Sequence, residues 1–159
     1  MQHFIRKHPV QSILLTLLAA YGLWWLGNDI ALRTYPQRVA RTIIAPPNVK
    51  LVDSGNGYLW KCKTSGIIQY FTTNESWDTI ILYYTTHLPQ TWQARGDELG
   101  FYQIPGEHEL LTLSIERIDV TIENYREQRT LFTGSTNYYI GIQYKQDVRL
   151  YDTICKPTD

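Results

Sequence analysis

Residues 12–26, SILLTLLAAYGLWWL, form an uncharged apolar run close behind Arg6 and Lys7, and the reading of this run decides the layout of everything after it. A membrane-spanning helix needs about 17 to 25 mostly apolar residues. The window from Val10 to Gly27 reaches the lower bound, and Ile30, Ala31 and Leu32 extend it past Asn28 and Asp29. Tyr21, Trp24 and Trp25 cluster in its second half, where rings with an apolar body and one polar atom suit the headgroup boundary, so they are the expected interface anchors. A cleaved signal peptide has the same basic start and short apolar region. The small-x-small cleavage site is poor, however, because Ala19 and Ala20 lie inside the run and bulky residues follow at 23–26. A buried core helix would leave the basic tail without a purpose. The sequence therefore predicts an N-terminal tail over residues 1–11 and a transmembrane anchor over residues 12–32.

Orientation is not fixed by charge: Arg6 and Lys7 on one side face Arg33, Arg38 and Arg41 on the other. A short basic tail of signal-anchor type, and a pair of cysteines suited to an oxidising compartment, favour a cytoplasmic tail and an exported, extracytoplasmic domain. Pro36, Pro46 and Pro47 oppose one continuous helix running into that domain. Residues 33–48 thus read as a juxtamembrane connector, helical at most around 38–43, with arginines near lipid headgroups or simply solvated.

The remainder, 49–159, is one domain's worth of chain. Lys plus Arg and Asp plus Glu each number 15 in the 159 residues, so no global positive field gathers phosphates, and a nucleic-acid partner is disfavoured. Aromatic residues make up 13% of the chain, with twelve Tyr and five Trp, a composition that favours half-buried pleated surfaces. Val49 to Val52, the turn-like SGNG at 54–57, Tyr58 to Lys63, KTSG at 63–66 and Ile67 to Thr72 read as a meander with two hairpin turns. A helix follows, with Asn74 or Ser76 as N-cap and Glu75 and Asp78 at the positive end of its dipole. Trp77, Ile80, Ile81, Tyr84 and Leu88 recur at helical spacing, and Pro89 ends it. Thr91–Arg95 and Phe101–Ile104 form a second hairpin about GDELG at 96–100. Leu111, Leu113 and Ile115 alternate, and Ile118, Val120 and Ile122 continue after a change of phase that implies a bulge or two strands. Residues 124–137 read as a loop or hairpin tip. Tyr138, Ile140, Ile142 and Tyr144 mark a further strand, and 148–151 a short edge. The fold class is α+β: a transmembrane helix, then an antiparallel sheet with one helix packed across it.

The segments PPNVKLV at 46–52, QYFTT at 69–73, Ser76, IILYY at 80–84 and LPQTW at 88–92 together resemble a module of exported bacterial proteins, membrane-anchored or of lipoprotein type and uncharacterised in activity. The resemblance covers residues 46–92. It implies fold and export and carries over no catalytic residue. The chain departs from the module in placing Trp77 where an acidic residue is usual, and in having no lipidation cysteine.

Cys62 and Cys155 are the only cysteines and lack the close spacings of a zinc site. They form a candidate disulfide, with two separate buried thiols as the alternative. Glu107, His108 and Glu109 are the densest ionisable group, but His87 is the only other histidine of the domain and nothing fixes it nearby, so a solvated turn is expected rather than a metal site. No HExxH, Walker or GxSxG motif occurs, and SGNG precedes a strand rather than a helix, so no phosphate cradle, cofactor or catalytic residue is assigned. Asn74-Glu75-Ser76 matches a glycosylation sequon, which the bacterial resemblance discounts. The Tyr and Trp residues either line a groove for a saccharide or peptide, or pack the core and the strands. The leading expectation is a non-catalytic, single-pass accessory or interaction subunit, its partners the lipid bilayer and a larger membrane protein complex. An exported domain that binds a saccharide, peptide or lipid is the alternative, and an enzyme with a fold-assembled site comes third.

Overall fold

The computed structural model describes residues 9–95, 100–118, 132–149 and 155, with the backbone alone for Pro9 and Trp60. The apolar run lies in one helix, α1 (Pro9–Ala40). From Val10 to Ala31 it is almost wholly exposed, its leucines and aromatic rings included. Between Pro9 and Asn28 there is no charge, and that stretch rises roughly 30 Å, the thickness of a bilayer's hydrocarbon core. The helix is long and apolar enough to cross a membrane.

From Leu32 the helix changes character. Leu32, Pro36 and Ala40 are buried at successive turns, with Tyr35 and Val39 half-buried beside them, so one stripe of the same helix enters the domain's core. This corrects the expected connector over 33–48, in which Pro36 barred a continuous helix. A proline inside a helix removes the N–H that would bond the carbonyl four residues earlier. For Pro36 that carbonyl is Leu32 O, and the buried Ser65 Oγ of the sheet donates to it at 2.6 Å. The hydroxyl stands in for the missing amide, so the helix continues.

The Pro36–Ser65 compensation makes a sharp prediction. Ser65→Ala leaves a buried carbonyl without a donor and is expected to cost about 1–3 kcal/mol. Pro36→Ala restores the backbone N–H, so in that background Ser65→Ala should cost much less. Denaturant midpoints of the four proteins in one detergent measure the coupling, and strictly additive costs would assign Ser65 a different role.

Beyond Ala40 the chain turns through Asn48, whose φ of 64° is left-handed backbone that asparagine tolerates, into β1 (Lys50–Leu59). β1 runs straight through SGNG. Ser54, Gly55, Asn56 and Gly57 pair with Gln69, Ile68, Ile67 and Gly66 of β2 (Thr64–Thr73), and the register shifts only between Leu51 and Asp53. The expected first hairpin turn is therefore absent, because the β2 ladder outweighs the local turn preference of two glycines. The single reversal lies at the 3₁₀ turn Trp60–Cys62 and Lys63, whose φ is 45°.

Helix α2 (Trp77–His87) starts where expected: Ser76 Oγ accepts from Thr79 N at 3.2 Å, and Leu88 N bonds Tyr84 O just before Pro89. Asn74 is not the cap. Its Oδ1 accepts from Ser135 N at 3.4 Å, tying down the approach to the last strand. At Gly134 in that approach a Cβ would lie 2.3 Å from Thr73 O, so only glycine fits.

Strands β3 (Gln93–Ala94), β4 (Gly100–Gln103), β5 (Leu110–Arg117) and β6 (Thr136–Lys145) complete a six-stranded antiparallel sheet of order β1-β2-β6-β5-β4-β3. β6 opens at Thr136, within the stretch read as a loop. Residues 148–149 are helical and add no edge strand. The expected turn at 96–99, Val120, Ile122, most of the loop and Tyr151 lie outside the described residues. One face of the sheet carries Ile67, Phe71, Leu111, Leu113, Ile115, Tyr138, Ile140, Ile142 and Tyr144. α2 covers one end of that face through Tyr84 and Trp77 against Tyr138, and the last turns of α1 cover the other through Tyr35 against Tyr144, ring centroids 4.5 Å apart. The architecture is α+β.

Candidate functional site

Among the described residues, three places carry polar or open chemistry. The first is the junction of α1 with the β1–β2 hairpin. Arg33 Nε lies 2.8 Å from Asp29 Oδ2, the Tyr58 hydroxyl donates to Asp29 Oδ1, and the Arg33 guanidinium sits 4.3 Å above the Tyr58 ring. Burial, and then the Asp29 carboxylate, push the Tyr58 hydroxyl up from its ordinary value, so it stays a protonated donor. Arg33 is half exposed, and its ion pair contributes little stability. Its consequence is geometric: the hairpin is clipped to the helix at the first charged residue after the uncharged stretch.

The second is a hollow of about 600 Å³ on the sheet face opposite the helices. Gly66 and Gly141 form its floor, Leu59, Ile68 and Tyr139 are apolar walls, and Thr64, Thr112, Ser114 and Gln143 supply uncharged polar groups. A Cβ on Gly141 would come within 2.9 Å of Ser114 Oγ, and one on Gly66 within 3.1 Å of Ile142 O, so the floor depends on glycine. The described lining has no charged side chain and no nucleophile beside a base. It suits shape and hydrogen-bond recognition of an uncharged ligand.

The third is the turn Glu107–His108–Glu109. His108 Nε2 is 3.7 Å from Glu107 Oε1 and also meets the Arg149 guanidinium. Glu109 turns to Tyr144, whose hydroxyl is pushed up by burial and then by that carboxylate. His87 stacks instead on Tyr83, with ring centroids 4.2 Å apart, and does not join the group. Among the described residues no three His, Cys, Asp or Glu side chains form a metal cluster.

The remaining residues singled out from the sequence are placed as follows. Tyr21, Trp24 and Trp25 are exposed on α1, the first two with ring centroids 6.0 Å apart. Cys62 and Cys155 are joined in a disulfide, their Cα atoms 6.0 Å apart. Trp77 and Trp92 belong to the core or pack against it, and neither lines the hollow. Tyr84 and Tyr138 meet hydroxyl to hydroxyl at 3.2 Å inside the core, and burial pushes Tyr138 up to about 12 and Tyr84 higher still. Sequence reasoning missed the Asp29–Arg33–Tyr58 junction, although Asp29 and Arg33 stand at i, i+4 spacing. It also missed the hollow, whose signal is a glycine in the middle of each of two bulky strands. No family model, no curated protein and no solved structure matches the chain.

Proposed function

We propose that this chain is a non-catalytic, single-pass membrane-anchored accessory subunit, its domain extracytoplasmic and bound to a larger membrane protein complex. One observation carries the reading: α1 runs unbroken from an exposed apolar stretch into the core of the domain. A ligand-collecting domain works well on a flexible tether, whereas a helix that ends inside the core holds the domain at one height and one tilt. That is the geometry for docking on a neighbour in the same bilayer, where confinement raises the effective concentration and weak surfaces suffice. The exposed Tyr21 and Trp24 offer ring surface to a neighbouring span as readily as to lipid. The disulfide suits an oxidising compartment, in keeping with the resemblance to exported modules.

Extraction in mild detergents followed by native mass spectrometry is expected to return the chain in stoichiometric assembly with a membrane protein. A clean monomer in several such detergents would overturn the reading. The hollow favours a second reading, an exported ligand-binding domain, which the same spectra test: a small-molecule mass on the monomer supports it, and the bare polypeptide mass counts against it.

A further inference from the structure

We infer that the span-facing end of the domain rests on the phospholipid headgroup layer, with Leu59 entering that layer and Lys61 and Lys63 contacting lipid phosphates. The inference rests on the reading of α1 as a membrane span and adds a second, separate contact with the bilayer.

The direction of the sheet relative to α1 follows from three hydrogen bonds. The Tyr58 hydroxyl reaches Asp29, Ser65 Oγ reaches Leu32 O, and Thr73 Oγ1, at the other end of β2, reaches Asn48 O. β2 therefore starts beside Leu32 of α1 and ends beside Asn48, past the helix's C-terminal end, so it leads away from the apolar stretch. Tyr58, Ser65, Tyr144, Leu111 and Gln103 form one continuous row across five strands. Everything past that row points back towards the span.

Height follows from the same contacts. The row touches α1 between Asp29 and Tyr35, a stretch about 9 Å long centred on Leu32. The Leu59–Thr64 pair lies about 3.3 Å closer to the span and the 60–63 turn lies beyond it. The turn is thereby brought to the level where the uncharged stretch of α1 ends, at Asn28 and Asp29. A hydrocarbon core filled by the residues from Pro9 to Asn28 places that level at the headgroups.

The composition of the turn fits the location. Leu59 is 56% exposed, Lys61 and Lys63 are exposed, and no carboxylate lies between Leu59 and Thr64. A long cationic stem lays its methylenes on apolar surface and its ammonium on phosphate. Lys63 O accepts from Gln146 N at 3.1 Å, and Cys62 is bonded to Cys155, so the turn is held in place. Among the described residues, the other charges of this end, Glu107, Glu109, Lys145, Asp147 and Arg149, sit on the β4–β5 turn or at and after the end of β6. Sheet twist carries strands further from β2 out of the plane of the β1–β2 turn. The hairpin turn nearest the anchor therefore makes the contact.

The test uses the full chain in nanodiscs of phosphatidylcholine and phosphatidylglycerol, with an environment-sensitive fluorophore on single introduced cysteines: Leu18→Cys in the span, Lys61→Cys on the turn, and Asp78→Cys at the start of α2. Nitroxide lipids labelled at the headgroup or at mid-chain act as quenchers. Mid-chain nitroxide is expected to quench position 18, headgroup nitroxide position 61, and neither position 78. Quenching at 18 with position 61 as bright as 78 overturns the inference and leaves the anchor standing. No quenching at 18 overturns both. In a chain carrying K61E and K63E, a probe at Leu59→Cys is expected to lose its headgroup quenching, and retention of that quenching overturns the phosphate contacts. Unchanged far-UV circular dichroism verifies that each variant is folded.

Discussion

A soluble fragment that begins at Val49, where the sequence draws the start of the domain, is expected to aggregate or to lack fixed tertiary packing, whereas one that begins at Asp29 is expected to fold as a monomer. The short fragment lacks the α1 stripe of Leu32, Pro36 and Ala40 and the flanking Tyr35 and Val39. Each large apolar side chain fully withdrawn from water contributes roughly 1.5–3 kcal/mol. The sheet side of the contact, with Tyr144 and its neighbours, is uncovered at the same time. The sum is comparable with the roughly 5–15 kcal/mol by which domains of this size are stable. Ser65 Oγ loses its acceptor as well, and the hairpin loses its clip to Asp29. The longer fragment keeps all of these contacts and omits the uncharged stretch. Near-UV circular dichroism and urea unfolding separate the two, and a cooperative, stable 49–159 fragment would show that α1 adds nothing to the core.

What was legible in the sequence and what was not divides by the range of the interaction that decides each element. The alternation Tyr138, Ile140, Ile142, Tyr144 and the periodicity of Ile80 and Tyr84 are local patterns that the core simply accepts, so β6 and α2 stand close to where the sequence puts them. Ser76 as N-cap is equally local, while Asn74 is drawn away by Ser135, distant in sequence but just before β6, the strand next to β2. Pro36 reads as a stop because its missing N–H is visible in the sequence, and the hydroxyl that compensates belongs to a strand the sequence does not place beside it. SGNG reads as a turn because glycine and asparagine favour one locally, yet an unbroken partner strand keeps all four residues in register. The hollow was illegible for a related reason: Gly66 and Gly141 become one floor only once β2 and β6 are neighbours on the open face.

Removing the disulfide is expected to be the most destabilising change at any pair of side chains outside the hydrophobic core. Cys62 and Cys155 are separated by 93 residues, so the bond encloses every element from β2 to β6. In the chain-entropy account, a closed loop of this length restricts the unfolded chain by about 4–5 kcal/mol. Against a total of roughly 5–15 kcal/mol this is a large share. The double variant Cys62→Ser, Cys155→Ser is therefore expected to melt on the order of 10–20 °C lower than the oxidised chain. Reduction of the unaltered chain should reproduce that shift, which separates the loss of the bond from the effect of burying a serine at position 62. The denaturant slope is expected to rise in both cases, because an uncrosslinked unfolded chain exposes more surface. The structural consequence is local first. The bond secures the β1–β2 turn that carries Lys61 and Lys63, so reduction should raise amide exchange in that turn and at the end of β6 before it affects the Tyr84–Tyr138 end of the core. A uniform rise across the sheet would mean that the bond acts only on the unfolded chain, and a melting shift within a few degrees would mean that the 62–155 closure restricts it little.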